Sequence, residues 1–126
     1  ARLLAIVERH VAQLPEPQAG HPTLPFARAP LRIAGSWSVR LTDAGFHKDH
    51  VHPQGWFSSA LYVALPESLG RGPEDDAGWL ALGEERDLVP GLPQRRLIEP
   101  KPGRLVLFPS TMWHGTRPFP QGERLT

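Results

Sequence analysis

The sequence predicts a mainly β fold, a double-layered barrel or jelly roll with one helix packed on its outside. Three observations carry that prediction. Apolar residues come in short runs of strand length rather than long helical periods. Fifteen prolines and twelve glycines sit between those runs as punctuation and form no repeat. Helical spacing is confined to the first fourteen residues.

In residues 1–14, Leu3, Leu4, Val7, Val11 and Leu14 make an apolar stripe with Arg2, Glu8 and Gln13 off it, and Pro15 ends the helix. Residues 15–30 hold five prolines and read as an irregular connector. From residue 31 the period becomes two: Trp37, Val39 and Leu41 alternate with Ser36, Ser38 and Arg40, as in a strand with one face in a core. A turn at Thr42-Asp43-Ala44-Gly45 returns the chain into a histidine-rich stretch, residues 46–56. That stretch leads through Gln54-Gly55 into an apolar strand over residues 57–65. These three segments read as consecutive antiparallel strands.

Residues 66–78 form a polar loop, residues 79–82 a short strand, and residues 83–93 a second loop that reads as either a partial lid or a docking surface. Pro100-Lys101-Pro102-Gly103 turns the chain into the apolar strand Arg104-Leu105-Val106-Leu107-Phe108, which Pro109-Ser110 breaks before Trp113-His114-Gly115. Further turns at Pro118 and Gln121-Gly122 bring it to Arg124. The expected organisation is residues 1–30 as helix and Pro-rich connector and residues 31–126 as the β domain. The last three residues read as the start of a strand cut short, and the first is not Met, so the β domain is expected to be truncated at its C-terminus.

The totals exclude several function classes. Fourteen basic and thirteen acidic residues are interspersed, so there is no basic stripe for nucleic acid and no polybasic membrane patch. Cysteine is absent, which removes disulfides and thiolate chemistry and leaves nitrogen and oxygen as the only metal donors. No apolar run approaches the ~20 residues of a membrane span, and the N-terminus lacks a signal-peptide plan. A cytoplasmic domain is the expectation.

Three of the six histidines, His47, His50 and His52, fall within six residues. On an extended backbone His50 and His52 point the same way while Val51 points into the opposite layer. Two imidazoles on one strand face are two thirds of a metal site, and His114 is a candidate third from a segment that folds back alongside. Two ligands close in sequence and one far on is the arrangement of a facial triad with open coordination positions.

The run His-x-His-Pro before a Gly-Trp-x-Ser-Ser-x-x-Tyr-Val strand, then Pro-x-x-Gly-x-Leu-x-Leu-Phe-Pro-Ser-x-x-x-His-Gly, then Arg-x-Thr, resembles the Fe(II)/2-oxoglutarate-dependent oxygenases. The branch is the one often attached to tetratricopeptide-repeat proteins, and the resemblance spans Trp37 to Thr126. It implies a double-stranded β-helix, a jelly-roll or cupin-like barrel. It implies Fe(II) held by His50, His52 and His114, and 2-oxoglutarate as cosubstrate with its far carboxylate on Arg124 and Thr126. Tyr62 and Ser59 are candidate hydrogen-bond donors to the cosubstrate from the barrel interior.

One departure stands out. Most such enzymes place Asp or Glu where this chain has His52, and three neutral imidazoles leave the metal charge uncompensated until the dianionic cosubstrate binds. His47-Lys48-Asp49 is a literal His-x-Asp, so His47, Asp49 and His114 form a rival ligand set in which His52 would support the site or touch substrate. The activity implied is hydroxylation of a small-molecule or peptide substrate with O₂, coupled to decarboxylation of 2-oxoglutarate to succinate, in a domain fused to or associated with a repeat domain. Two other readings keep the barrel: a cupin-like metal-binding module for a small acid or sugar without redox chemistry, and a degenerate interaction domain.

Overall fold

The computed structural model describes every residue except Ala1, Ala27, Ala29 and Pro73. It divides into two compact units, Ala1–Trp37 and Ser38–Thr126.

In the first unit the helix α1 spans Arg2–Val11, shorter than the apolar stripe. Ala12 still donates to the Glu8 carbonyl, but Gln13 and Leu14 bond three residues back, to His10 and Val11. That tightening is how a helix closes when proline follows. Arg28 Nη1 donates to the Leu14 carbonyl at 2.6 Å, satisfying an acceptor the helix end would otherwise leave open. Val11 is buried, whereas Leu3 and Ile6 are exposed, so the inward edge runs through Leu4, Val7 and Val11 rather than the whole stripe. In the connector, His21 Nδ1 accepts from the backbone N–H groups of Thr23 and Leu24 and fixes a turn.

The strand expected over residues 31–41 is almost absent. Only β1, Arg40–Leu41, forms, and Trp37 is 69% exposed rather than packed in a core. The ladder that pairs β1 extends back only to Val39, which exchanges backbone bonds with Thr126. Alternation upstream of that point is not matched by a sheet.

The second unit is built of β1, β2 (His47–His50), β3 (Phe57–Leu61), β4 (Leu80–Leu82), β5 (Arg96–Ile98), β6 (Leu105–Pro109), β7 (His114–Thr116) and β8 (Arg124–Leu125). Its pairing is nested: β1 with β8, β2 with β7, β3 with β6 and β4 with β5, all antiparallel. A further β4–β7 ladder gives the four-stranded order β2-β7-β4-β5, beside the two-stranded β1-β8 and β3-β6. Backbone bonds from Val63 and Ala64 to the Leu125 carbonyl, and from Leu125 back to Ala64, tie the end of β3 to β8. The fold is therefore mainly β with one N-terminal helix, and its described strands close no barrel.

This corrects the expectation of consecutive antiparallel neighbours. The turns after β1 and β2 do form, with Gly45 N–H on the Thr42 carbonyl and Gly55 N–H on the His52 carbonyl. They carry the chain from one sheet to another, however, rather than back along the strand it left. Tyr62, Leu80, Leu82, Val106 and Phe108 make the core, with Leu65, Ile98 and Met112 packed against it. Val106 and Phe108 come from β6 and Tyr62 directly follows its partner β3, while Leu80, Leu82 and Ile98 come from β4 and β5, so the core lies between the sheets, and the histidine-bearing strands β2 and β7 border it.

Candidate metal centre

The site is a consequence of one irregularity in β2. Its partners on β7 are Thr116 for His47 and His114 for His50, three steps on one strand against two on the other. One extra residue, a β-bulge, lies between them. Cross-strand partners share a face, so the bulge places His47 with His50, although their odd separation would set them on opposite faces of a regular strand. β4 continues the same surface, with Leu80 opposite Thr116 and Leu82 opposite His114. The inward face thus carries His47, His50, His114, Thr116, Leu80 and Leu82.

His52 lies just past β2 and is anchored by its N–H on the Ser110 carbonyl at 2.8 Å. The rings of His50, His52 and His114 converge, with centroids 4.9 Å apart for His50–His52, 4.2 Å for His50–His114 and 5.2 Å for His52–His114. One ligand atom from each lies within 4.8 Å of the others, a group able to hold a metal ion. Two of the rings are oriented from behind. His50 Nδ1 is 2.7 Å from the Lys48 carbonyl oxygen and His114 Nδ1 is 2.9 Å from that of Met112. A carbonyl only accepts, so each Nδ1 carries the hydrogen and each Nε2 lone pair is left for a metal.

The rival set is not assembled. Asp49 is buried on the opposite face of β2, where Oδ2 accepts from Arg86 Nε at 2.9 Å. Oδ1 points at Gly115: a Cβ there would lie 2.1 Å from it. His47 does face inward, but alongside Thr116 rather than His114.

The other predicted residues separate by face. Tyr62 is fully buried, and its Oη makes no hydrogen bond of good geometry among the described residues, although the Arg124 guanidinium is close enough to act on it. Arg124 is 1% exposed, with its guanidinium 5.0 Å over the Tyr62 ring. Its Nε donates to Thr126 Oγ1 at 3.1 Å and its Nη1 to the Gly78 carbonyl at 3.2 Å. Ser59 does not join them. It is exposed, three residues from Tyr62 and so on the other side of an alternating strand, while Ser58 Oγ is 2.9 Å from Ser110 Oγ. His47 and Thr116 are inward neighbours that sequence reading did not assign to the interior as a pair, because no periodicity reports a bulge.

Burial sets the protonation states. It holds the His114 imidazole down to about 4, opposed by the Met112 carbonyl and reinforced by the neighbouring His50, His52 and His47. Burial also lowers His52 and His47, the latter helped by the Arg124 charge. Neutral imidazoles are the form a metal needs. Burial pushes the Tyr62 hydroxyl up, so it stays protonated and able to donate. Burial lowers Arg124 too, yet a guanidinium remains cationic.

The sign of the resulting pH dependence is fixed. Because folded His114 binds its proton only near pH 4, the unfolded chain holds more protons between there and about 6.5. Metal-free protein is expected to have its full His114 contribution above about pH 6.5 and to lose roughly 3 kcal/mol of it as pH falls to 4. Denaturant melts at pH 7, 5.5 and 4.5 on wild type and His114→Gln check this. The variant is expected to show the shallower slope, and equal slopes would contradict it.

No helix among the described residues is long and apolar enough to cross a membrane. No curated protein and no solved structure matches the chain. A family model described as "Putative 2OG-Fe(II) oxygenase" matches residues 35–126, the stretch that carries all three converging histidines, Tyr62, Arg124 and Thr126. With most of its length covered by that model, the chain belongs to the 2OG-Fe(II) oxygenase family so described.

Proposed function

We propose that the domain is an Fe(II)/2-oxoglutarate-dependent dioxygenase that hydroxylates a small-molecule or peptide substrate. His50, His52 and His114 would be its metal ligands. The observation that carries this reading is the convergence of three imidazoles at the edge of a core that also contains a buried arginine, with no carboxylate bonded to it among the described residues, and a buried tyrosine hydroxyl beside that arginine. A buried cation without a carboxylate beside it is costly unless an anion joins it, and a dicarboxylic acid supplies one. The nested strand pairing, with β8 tied to both β1 and β3, supports a jelly-roll arrangement.

The donor set fits ferrous iron: three nitrogen ligands, two of them with fixed tautomers, and as a set of only three it would leave coordination positions for further ligands. When Fe(II), 2-oxoglutarate and O₂ are bound, they supply oxidative decarboxylation to succinate and CO₂ with transfer of one oxygen atom to a substrate C–H bond. The chain's residues do the positioning. Arg124 forks onto the far carboxylate, the Thr126 and Tyr62 hydroxyls donate to it, and Phe108, 4.7 Å from the His114 ring, helps exclude water. With no carboxylate among the three imidazoles, the negative charge that balances the metal comes from the cosubstrate itself. Metal retention should therefore strengthen when 2-oxoglutarate is present. Linkage to a repeat domain would suit a polypeptide substrate.

Anaerobic titration of the Fe(II)-loaded protein with 2-oxoglutarate tests the proposal. The weak visible charge-transfer band of a keto acid chelated to ferrous iron is expected in wild type and absent in His50→Ala and His114→Ala. Iron binding without the band would favour a cupin-like module without redox chemistry, and failure to hold any divalent metal would favour an interaction domain.

A further inference from the structure

The bulge that builds the inward histidine face is held from outside by charge. The two residues of β2 inside the bulge, Lys48 and Asp49, pair with two consecutive residues of the loop after β4 in crossed polarity. Lys48 Nζ lies 2.7 Å from Asp87 Oδ2, and Arg86 Nε lies 2.9 Å from Asp49 Oδ2. The first pair is exposed and contributes direction more than energy. The second has its acid buried, and Arg86 is also 3.3 Å from the buried Glu84 carboxylate. The loop is fixed at its base by Gly83 N–H on the Trp113 carbonyl and, further on, Arg95 N–H on the Leu82 carbonyl. Glu85, also buried, accepts from the N–H groups of Asp87 and Leu88, which sets the turn that presents Arg86 and Asp87.

The arithmetic of the register shows what this clasp decides. Counted from the His47–Thr116 pair without the extra residue, β2 would set Lys48 opposite Gly115 and Asp49 opposite His114. The inward face would then carry His47 and Asp49 with His114. The two registers of one strand therefore offer two ligand sets: His50 with His114 when the bulge is present, and His-x-Asp with His114 when it is absent. A one-residue slip is what exchanges strand faces.

We infer that the crossed pairs Lys48–Asp87 and Asp49–Arg86 are a register lock that holds the bulge of β2 and so presents His50 rather than Asp49 to His114. Arg86 is a positioning residue, since its polar partners among the described residues are the Asp49 and Glu84 carboxylates and not a histidine ring. Gly115 is part of the device, because only a residue without a side chain leaves space for the outward Asp49 carboxylate. The buried Asp49 Oδ1 has no hydrogen-bond partner among the described residues, so the outward seat satisfies only half of the carboxylate. A buried acceptor left open costs free energy, and this narrows the gap between the two registers.

The inference rests on the reading of His50, His52 and His114 as ligands, and the test separates the two. Co(II) alone is titrated into wild type and Arg86→Gln, each with and without His50→Ala, His47→Ala and His114→Ala, with visible d–d absorption and a melting curve for every protein. In the wild-type background His50→Ala and His114→Ala are expected to lower Co(II) affinity at least about tenfold. In the Arg86→Gln background the His50→Ala loss is expected to shrink and the His47→Ala loss to grow by about the same factor, with a changed Co(II) spectrum as a carboxylate enters the set. The same ligand dependence and spectrum in both backgrounds overturns the lock, including the case where Arg86→Gln merely weakens binding throughout. Indifference of wild-type binding to His50→Ala and His114→Ala overturns the ligand reading instead. Arg86→Met, which keeps the aliphatic cover over Asp49, serves if Arg86→Gln gives no melting transition.

Discussion

Arg124→Met is expected to lower 2-oxoglutarate affinity on the order of 100-fold while leaving the metal-free protein about as stable as wild type. A hydrogen bond between charged groups is worth ~1.5–3 kcal/mol, and a guanidinium makes two such bonds to one carboxylate, so even at the lower end a loss of about 3 kcal/mol, on the order of 100-fold, follows. Stability should behave differently. Arg124 is 1% exposed, and burying its charge with no acidic partner among the described residues is unfavourable. Met removes that penalty and fills much of the volume. Against this, the Gly78 carbonyl and Thr126 hydroxyl each lose a donor and the Tyr62 ring loses its cation. These are opposing effects of about 1 kcal/mol each. Titrating 2-oxoglutarate into Fe(II)-loaded protein, with a thermal melt of the metal-free form, separates the two. Arg124→Lys should fall between, since an ammonium keeps the charge and loses the fork. Unchanged affinity in Arg124→Met would remove Arg124 from the cosubstrate site.

The pieces of this site that could be read from the sequence are those that local spacing controls. His50 and His52 are two residues apart, so they converge wherever the backbone is extended, and the structure brings both to His114. The pairing of residues 57–61 with 105–109 joins two apolar runs recognisable as strands, and only their partnership was unstated. What spacing does not encode is pairing over distance. β7 is His114-Gly115-Thr116, with no apolar run to announce it, yet it is the central strand that presents His114. β5, Arg96–Ile98, was hidden for the same reason. The strand expected at Trp37 had the right alternation and no ladder, because period two describes a strand only where a partner exists. Ser59 was misplaced by one step of the same alternation. The bulge in β2 is the deepest case: it rests on Asp49, Arg86 and Gly115, which are far apart in sequence and individually unremarkable.

The charge network behind the site should be the most sensitive place for stability, and Glu84→Ala is expected to cost about 3 kcal/mol. Glu84 is 3% exposed, and its two oxygens take both Nη groups of Arg117, one of them at 3.1 Å, while Arg86 approaches at 3.3 Å. Asp76 holds Arg117 from the other side at 2.9 Å. Burial alone would lower the Arg117 guanidinium, but its bonds to Glu84 and Asp76 outweigh that and hold it raised. Deleting Glu84 leaves Arg117 with one carboxylate and Arg86 with Asp49 alone, which strands positive charge in a poorly solvated position. Such one-sided removals cost ~3–5 kcal/mol when fully buried, and the partial exposure of both arginines argues for the lower end. For a domain of this size the melting temperature should fall by about 10 °C. Glu123→Gln, which breaks the exposed Arg40–Glu123 pair, serves as the control and should melt with wild type. Because the network borders β4 and β7, Glu84→Ala should also loosen His114, and Co(II) affinity should drop with stability. A Glu84→Ala protein that melts with wild type would mean that the network is solvated and holds neither the loop nor the strands.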